Sequence, residues 1–452
     1  MSEKQQTVNV RGMALDCVLS VMEDGELSHI AIRRSLERGS RLDKRNRAFF
    51  TRLCHGTIER CIEIDYVTGC FSKVKVPKLK PVIRGILRIS VYQLLYMDVP
   101  SSAVCNEAVK LAKKRGFYGL SGFVNGVLRN VSRSGGRLPD KSGGIENYFS
   151  VCYSQPLWIV KRFLKRYGKE KTEEIFSAFL REDNGVCVRC TTSRASLEEI
   201  MEMLKNQGVT VNIINKVPNA LIISGFDRLD KLDAFLAGYI QVQDVSSMLA
   251  GLAADIKKGD FVIDLCAAPG GKTMHAADLL EGTGCVVSCD ISDEKIRLIR
   301  ENALRSGFDN INIIKNDARI FRSEWEGKAD IVLADLPCSG LGVMGKKCDI
   351  KYKTKKEDIE SLAKLQKEIL SVSYRYLKIG GRLIFSTCTI AQEENEENVN
   401  WILKNLPLKA VSVEDVLPPQ LKGMTGKDGF IQVLPGESHM DGFFISAFQR
   451  EG

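Results

Sequence analysis

Apolar residues in the first third of the chain recur at helical spacing, with no strand-like alternation. Ala14, Leu15, Val18, Leu19 and Met22 follow the i, i+3, i+4 rule, as do Phe49, Phe50, Leu53, Gly56 and Thr57, and a third run extends through 82–95. The pattern predicts a helical bundle over 1–138, closed by the turn-rich stretch Gly135-Gly-Arg-Leu-Pro-Asp-Lys-Ser-Gly-Gly144. Helical spacing resumes over 156–167 and 173–180. Short strand and helix patterns then alternate at 186–190, 197–207, 209–214, 220–224, 229–235 and 239–244, so 151–240 reads as linker helices and a small α/β adaptor. From 241 to 452, apolar runs at 261–265, 285–290, 311–315, 330–335 and 382–387 are separated by helical segments. That is the pattern of a doubly wound, Rossmann-like α/β domain, with an antiparallel pair expected near 430–434 and 443–448.

A length of 452 residues exceeds what one core usually holds, in keeping with two or three domains. No apolar run approaches the ~18–20 residues that span a bilayer, and the most hydrophobic helical stretch, 82–99, is interrupted by Arg84, Arg88 and Asp98. The first residues lack a signal-peptide core, so a soluble, cytoplasmic protein is expected. Fourteen cysteines in that setting are expected as reduced thiols. The pair Cys187-Val-Arg-Cys190 has no matching second pair, and His29, His55, His275 and His439 are scattered; no metal is expected.

Charge changes the picture more than composition does. Residues 1–150 hold 25 Lys+Arg against 14 Asp+Glu, whereas the remainder holds 40 against 42. The whole positive excess lies on the helical third, the footprint expected of a surface that meets a polyanion, here nucleic acid.

The chemistry begins at Phe261-Val-Ile-Asp-Leu-Cys-Ala-Ala-Pro-Gly-Gly-Lys-Thr273, a strand, a small-residue loop and a helix start. Such loops bring a ligand to backbone N–H groups at a helix N-terminus. A dinucleotide fingerprint fails, because Gly270 and Gly271 are adjacent. A phosphate-binding P-loop is closer through Gly271-Lys272-Thr273 and stays as a third reading, but position 266 is Cys rather than Gly, and Pro269 removes an N–H from the cradle. S-adenosyl-L-methionine fits. Asp264 is free for its positive end, Asp290 closes the second strand where ribose hydroxyls would lie, and Asp317, ending the third strand, is placed to accept from the adenine amino group.

Two further strands end in cysteines, at Asp335-Leu-Pro-Cys338 and Ser386-Thr-Cys388-Thr389. The C5 carbon of cytosine is a poor nucleophile until a thiolate adds to C6, which makes C5 enamine-like. That chemistry needs a proton donor near N3, for which a protonated Asp335 is the candidate, and later a base for the C5 proton. Spacing alone leaves open which thiol attacks. A non-enzymatic RNA-binding assembly factor is the rival reading, against which the intact acids and thiols speak.

The motifs DLCAAPGGKT, Asp290, Asp317, ADLPCSG and FSTCT, preceded by Gln243-Asp-Val-Ser-Ser247, resemble those of the RNA cytosine-C5 methyltransferases. The helical third, ending in Asn106-Glu107-Ala-Val and Phe123-Val-Asn125-Gly-Val-Leu-Arg-Asn130, is similar to the antitermination factor NusB. Together they resemble the bacterial 16S rRNA methyltransferases of the Sun/RsmB type over essentially the whole chain. The resemblance implies a monomer that methylates one cytosine, of the position-967 type, in 16S rRNA or a small-subunit assembly intermediate. It implies Cys266, Ala267, Ala268, Pro269, Gly270, Gly271, Lys272, Asp290, Asp317 and Asp335 at the cofactor and target base. It makes Cys388 the nucleophile and Cys338 the residue that assists release. The chain departs from the family in having Leu336 inside the Asp-x-Pro-Cys motif and Cys348-Asp349 after the basic pair Lys346-Lys347.

Overall fold

In the computed structural model, which describes residues 9–39, 42–181, 185–414, 416–421, 429–436 and 440–452, the chain forms two compact units. One comprises Met1–Arg181 with Met344–Lys353, the other Glu182–Val343 with Thr354–Gly452.

The first unit is helical, with long helices Val10–Met22, Ser28–Arg38, Lys44–Glu59, Cys61–Phe71, Pro81–Tyr96, Ser101–Lys114 and Ser121–Ser134, followed by Ile145–Cys152 and Leu157–Phe179. Local chemistry sets the starts. The side chains of Asn9 and Asp43 accept from backbone N–H groups of the first turns they precede, and Pro81 occupies the first position of its helix. The predicted break between two helical segments near residue 168 is present, because Gly168 sits at φ 71° inside 157–179. Leu15, Val18, Phe50, Leu53, Ile86 and Leu128 are among the residues that build the core.

A segment distant in sequence completes this unit. Cys348 lies in the same helical core, and Asp349 accepts from Ser28 N at 3.2 Å and Ser28 Oγ at 2.5 Å. Lys351 Nζ donates to Glu59 O at 2.6 Å and Tyr352 Oη to Ile58 O at 2.8 Å, so two of the last carbonyls of helix 44–59 find their donors on this segment. The basic pair Lys346-Lys347, ahead of it, is exposed.

In the second unit, β1 (Val186–Cys190), β2 (Thr210–Ile213), β3 (Ala220–Ser224) and β4 (Ile240–Val242) form an antiparallel sheet in the order β2-β3-β1-β4. Cys187 and Cys190 are three apart on β1 and so face opposite sides of the sheet. Among the described residues, no group of three or more His, Cys, Asp or Glu is disposed to hold a metal, and no helix is long and apolar enough to cross a membrane.

The larger sheet contains β5 (Phe261–Asp264), β6 (Cys285–Asp290), β7 (Ile311–Lys315), β8 (Ala329–Asp335), β9 (Leu377–Thr387), β10 (Leu408–Ala410), β11 (Phe430–Val433) and β12 (Phe443–Arg450). Its order is β10-β12-β9-β8-β5-β6-β7, with β11 also pairing β12. Strands β5 to β9 are parallel; β12 runs antiparallel to β9, β10 and β11. Alternate residues feed different cores: Val262, Ile331, Leu333 and Ile384 pack on one face, Ile263, Val332, Leu383 and Phe385 on the other. Burial on both faces is why these strands read as unbroken apolar runs. The sequence pattern misses β10, three residues long, and begins β9 five residues late, because its first turn is Lys-Ile-Gly-Gly rather than apolar.

Burial pushes the Lys351 ammonium down to about 8. In the unfolded chain a lysine titrates near ~10.4. Between those values the unfolded state binds more protons than the folded one, so this group makes the protein more stable as pH rises. The stability of the protein relative to Lys351→Met should therefore increase from about pH 8 to 10, approaching ~1.4 kcal/mol per pH unit. Denaturant titrations at several pH values measure it; a flat difference would show that the ammonium is not buried.

Candidate active site at the carboxyl edge of the sheet

The strand order reverses at β5, with β6 and β7 to one side and β8 and β9 to the other. Loops leaving β5 and β8 therefore diverge, and open α/β sheets bind ligands in the crevice this creates. The loop after β5 is pinned on several sides. Leu265 N donates to Leu333 O at 3.1 Å, Ala267 N to Cys289 O at 2.8 Å, Ala268 N to Asp290 Oδ2 at 3.0 Å, and Asn302 Nδ2 to Pro269 O at 2.8 Å. Gly270, at φ 108°, turns the chain into helix Gly271–Leu279, a conformation closed to side-chain-bearing residues without strain.

Asp264 is not free, contrary to the expectation from its strand-end position. It is 1% exposed, and Thr273 Oγ1, from the first turn of the following helix, donates to its Oδ2 at 2.7 Å. Its Oδ1 is buried with no protein hydrogen-bond partner. Burial raises its carboxyl to about 7, and the charges of Asp335 and Asp290 push in the same direction, against Thr273 and Lys272. The half-buried Cys266 thiol is likewise raised, first by burial and then by Asp290, Asp264 and Asp335. Three carboxylates thus surround this loop.

Asp290 is 3% exposed and accepts from Ala268 N at 3.0 Å and Ile291 N at 2.8 Å, with Lys295 Nζ 3.0 Å from Oδ1. It braces the loop from the end of β6. Asp317 lies two residues beyond the end of β7, where Arg319 holds it at 2.7 Å; that hydrogen bond lowers its carboxyl. Its oxygens serve the turn that follows the strand. Asp335 receives Lys272 Nζ at 2.6 Å and Ser386 Oγ at 2.8 Å. Lys272 also reaches Ser247 Oγ at 2.9 Å. Asp335 thus accepts from an ammonium and a hydroxyl in this structure, whereas the role expected of it beside N3 is that of a proton donor.

The two strand-end thiols come together. Cys338 Sγ and Cys388 Sγ are 3.2 Å apart and hydrogen-bonded. That bond to Cys388, followed by burial and the charges of Cys388 and Glu394, pushes the Cys338 thiol up. A thiolate at Cys338 is therefore disfavoured while it faces Cys388, and either sulfur can donate in the bond between them.

Residues 8–133 match the NusB family, 155–228 the Methyltr_RsmF/B-like, ferredoxin-like domain, and 252–449 the 16S rRNA methyltransferase RsmB/F family. The probable ribosomal RNA small subunit methyltransferase B of Bacillus subtilis (strain 168) is 34% identical over 449 residues, covering 98% of this chain and 99% of that protein. The chain belongs to the 16S rRNA methyltransferase RsmB/F family. Ribosomal RNA small subunit methyltransferase B of Escherichia coli O17:K52:H18 (strain UMN026 / ExPEC) is 30% identical across 97% of the chain and 98% of its own length. The crystal structure of PH0851 superposes with a TM-score of 0.83 at 26% identity, covering 98% of this chain and 99% of that one. Membership makes the protein a methyltransferase, and the helical, ferredoxin-like and Rossmann-like parts are those the family combines.

The sequence reading missed the residues that hold the thiols in place. Glu394, Asn395, Asn398 and Gln366 are all fully buried. In the sequence, Gln392-Glu-Glu-Asn-Glu-Glu-Asn398 is a run of acidic and amide residues. The available signal was its position, directly after the Cys388 strand end.

Close backbone approach also fixes the pair. Gly342 N donates to Cys388 O at 3.1 Å, and a Cβ at Gly342 would fall 2.1 Å from Gly442 O and 2.8 Å from Cys388 O. Gly342→Ala should destabilise the protein by about 1–3 kcal/mol and change the relative alkylation rates of Cys338 and Cys388. Denaturant titration and peptide mapping after iodoacetamide treatment check both; unchanged rates would show that this contact does not set the thiol geometry.

Proposed function

We propose that the chain is an S-adenosyl-L-methionine-dependent rRNA cytosine-C5 methyltransferase working through a covalent Cys388–C6 adduct. Its substrate is 16S rRNA or a small-subunit assembly intermediate, its target the cytosine of the position-967 type. The observation that carries the reading is the pair of hydrogen-bonded thiols at the ends of two neighbouring strands.

The cofactor fits the residues present. Asp264, Asp290 and Asp335 gather around the loop 266–272 while one Asp264 oxygen has no protein partner, a donor set suited to a cation that also carries hydroxyls. The cofactor supplies an electrophilic methyl group on a sulfonium. Asp290 would hold its ribose, the backbone of Cys266, Ala267, Ala268, Pro269, Gly270 and Gly271 its body, and Asp317 its base. The role for Asp317 requires that carboxylate to accept from a ligand while keeping Arg319.

At the base the reading assigns a role to each of three residues. Asp335, paired with Lys272, accepts from the exocyclic amino group that distinguishes cytosine from uracil. Cys388 as thiolate bonds to C6, and the electrons of the C5–C6 double bond become available at C5, which takes the methyl. Once Cys388 is a thioether, its charge and its role as acceptor no longer raise Cys338, while burial and Glu394 still do, and Cys338 releases its proton to solvent more easily than before. As thiolate it then takes the C5 proton; the C6–S bond breaks, the double bond is restored and Cys388 leaves as thiolate. The positive excess in residues 1–150 supports RNA binding by the helical part, 1–138, with 151–240 as adaptor and 241–452 as catalytic domain.

Asp290→Ala should weaken S-adenosylmethionine binding through loss of charge-assisted hydrogen bonds, each worth about 1.5–3 kcal/mol before water compensates. Calorimetry measures it, and unchanged affinity would remove Asp290 from the cofactor site.

The thiols should fail differently. With RNA and S-adenosylmethionine, Cys338→Ala is expected to methylate and then stall with RNA attached, giving a shifted band on a denaturing gel. Cys388→Ala should give neither band nor product. The opposite pattern would exchange the two roles, and no band in either would exclude the covalent route.

A further inference from the structure

Residues on both sides of each thiol are tied to one buried dipeptide, Glu394-Asn395. On the Cys338 side, Ser339 N donates to Glu394 Oε1 at 2.9 Å and Ser339 Oγ donates to Glu394 Oε2. Gln366 Nε2 bridges from Pro337 O, at 2.8 Å, to Glu394 Oε1, at 3.1 Å. The peptide groups before and after Cys338 therefore end on the same carboxylate system. On the Cys388 side, Thr387 Oγ1 donates to Asn395 Oδ1 at 2.6 Å and Asn395 Nδ2 to Thr389 O at 3.0 Å. Ser339 Oγ and Thr389 Oγ1, 2.8 Å apart, join the two halves.

Asn398 Nδ2 supports the far side, donating to Gln366 Oε1 at 2.7 Å and Glu394 O at 3.2 Å. Glu394 is 0% exposed, and every side-chain partner just named for its oxygens donates to it, the pattern of an ionised carboxylate. Burial raises its own carboxyl, while Ser339, Gln366 and Thr389 oppose that. The neighbours around it on helix 356–373, the Cys338 loop, the Cys388 loop and helix 396–405 are Gln366, Ser339, Thr389 and Asn398, none of which titrates. Glu393 and Glu396 flank the dipeptide on its own segment, and the Cys338 thiol feels the Glu394 charge.

Resting on the covalent reading above, we propose that Glu394 is the positioning residue of this site: with Asn395 it holds the two thiols in register, and its fixed negative charge keeps their shared proton on Cys338. A buried charge close to one thiol and fastened to its neighbouring peptide disfavours a thiolate there. Cys388 is left as the sulfur that acts as nucleophile. The feature that distinguishes two chemically identical side chains is thus a carboxylate that meets neither RNA nor cofactor.

The test uses full-length protein and the pH dependence of iodoacetamide alkylation at each cysteine, read by mass spectrometry, in the protein, Glu394→Gln and Glu394→Asp. A Gln side chain can keep bonds to Ser339 N and Oγ while losing the charge. In Glu394→Gln, Cys338 should alkylate with a midpoint about one pH unit lower, roughly a tenfold gain in thiolate at fixed pH, while adduct formation with RNA falls by a similar factor. Glu394→Asp, which keeps the charge but withdraws it by one methylene, should lower the midpoint less than Glu394→Gln does and recover most of the adduct formation. Should Glu394→Gln fail to fold, Glu394→Asp in a Cys388→Ser background still decides. Withdrawing the charge by one methylene should lower the Cys338 midpoint relative to Cys388→Ser alone, and no change would overturn the proposal. In folded Glu394→Gln, an unmoved Cys338 midpoint overturns it too. Alkylation requires no methyl transfer, so this outcome is separable from failure of the covalent reading, which the Cys338→Ala gel reports by itself.

Discussion

A parallel sheet buried on both faces exposes its backbone ends and little else, and this constraint organises the catalytic unit. With Val262, Ile331 and Ile384 committed to one core and Ile263, Val332 and Phe385 to the other, polar residues can be accommodated only where the strands stop. Asp264, Asp290 and Asp335 close β5, β6 and β8, and Cys388 follows β9 directly. Because all four strands are parallel, those ends lie along one edge. Reversal of strand order at β5 then separates the neighbouring loops enough to admit a ligand.

Placing groups at an edge does not fix them to within the tolerance that chemistry needs. Here that precision comes from buried polar contacts. Lys272 bridges Asp335 and Ser247, and Asp290 braces the loop through Ala268 N. The Glu394-Asn395 network ties the loops that follow the neighbouring strands β8 and β9, whose sulfurs lie 3.2 Å apart. Each buried polar group in that network is expensive to leave unsatisfied, which makes the arrangement close to all-or-none.

The helical unit shows the same logic in a different place. Its helix 44–59 ends in carbonyls that need donors, and these come from Lys351 and Tyr352, almost three hundred residues away in sequence. The segment 344–353 directly follows the Cys338 loop, so the chain that carries a thiol is also the chain that completes the helical core through Cys348.

Local pattern determined much of this protein. Periodicity alone located three of the helices of the first third, the five parallel strands and the antiparallel pair, because each of these buries a face or both faces and its apolar residues record that. Residue chemistry identified the loop 266–272, the strand-end acids and the two thiols, since small residues, carboxylates and cysteines at strand ends have few other reasons to cluster. Tertiary structure decided their states. Asp264 proved to be a buried acceptor for Thr273, and Asp335 a partner of Lys272, 63 residues away. A charge run after Cys388 became the buried support of both thiols, and a loop beyond Cys338 became part of the helical core. Such outcomes depend on which groups meet across the fold, and a one-dimensional pattern records only how each residue relates to its own element.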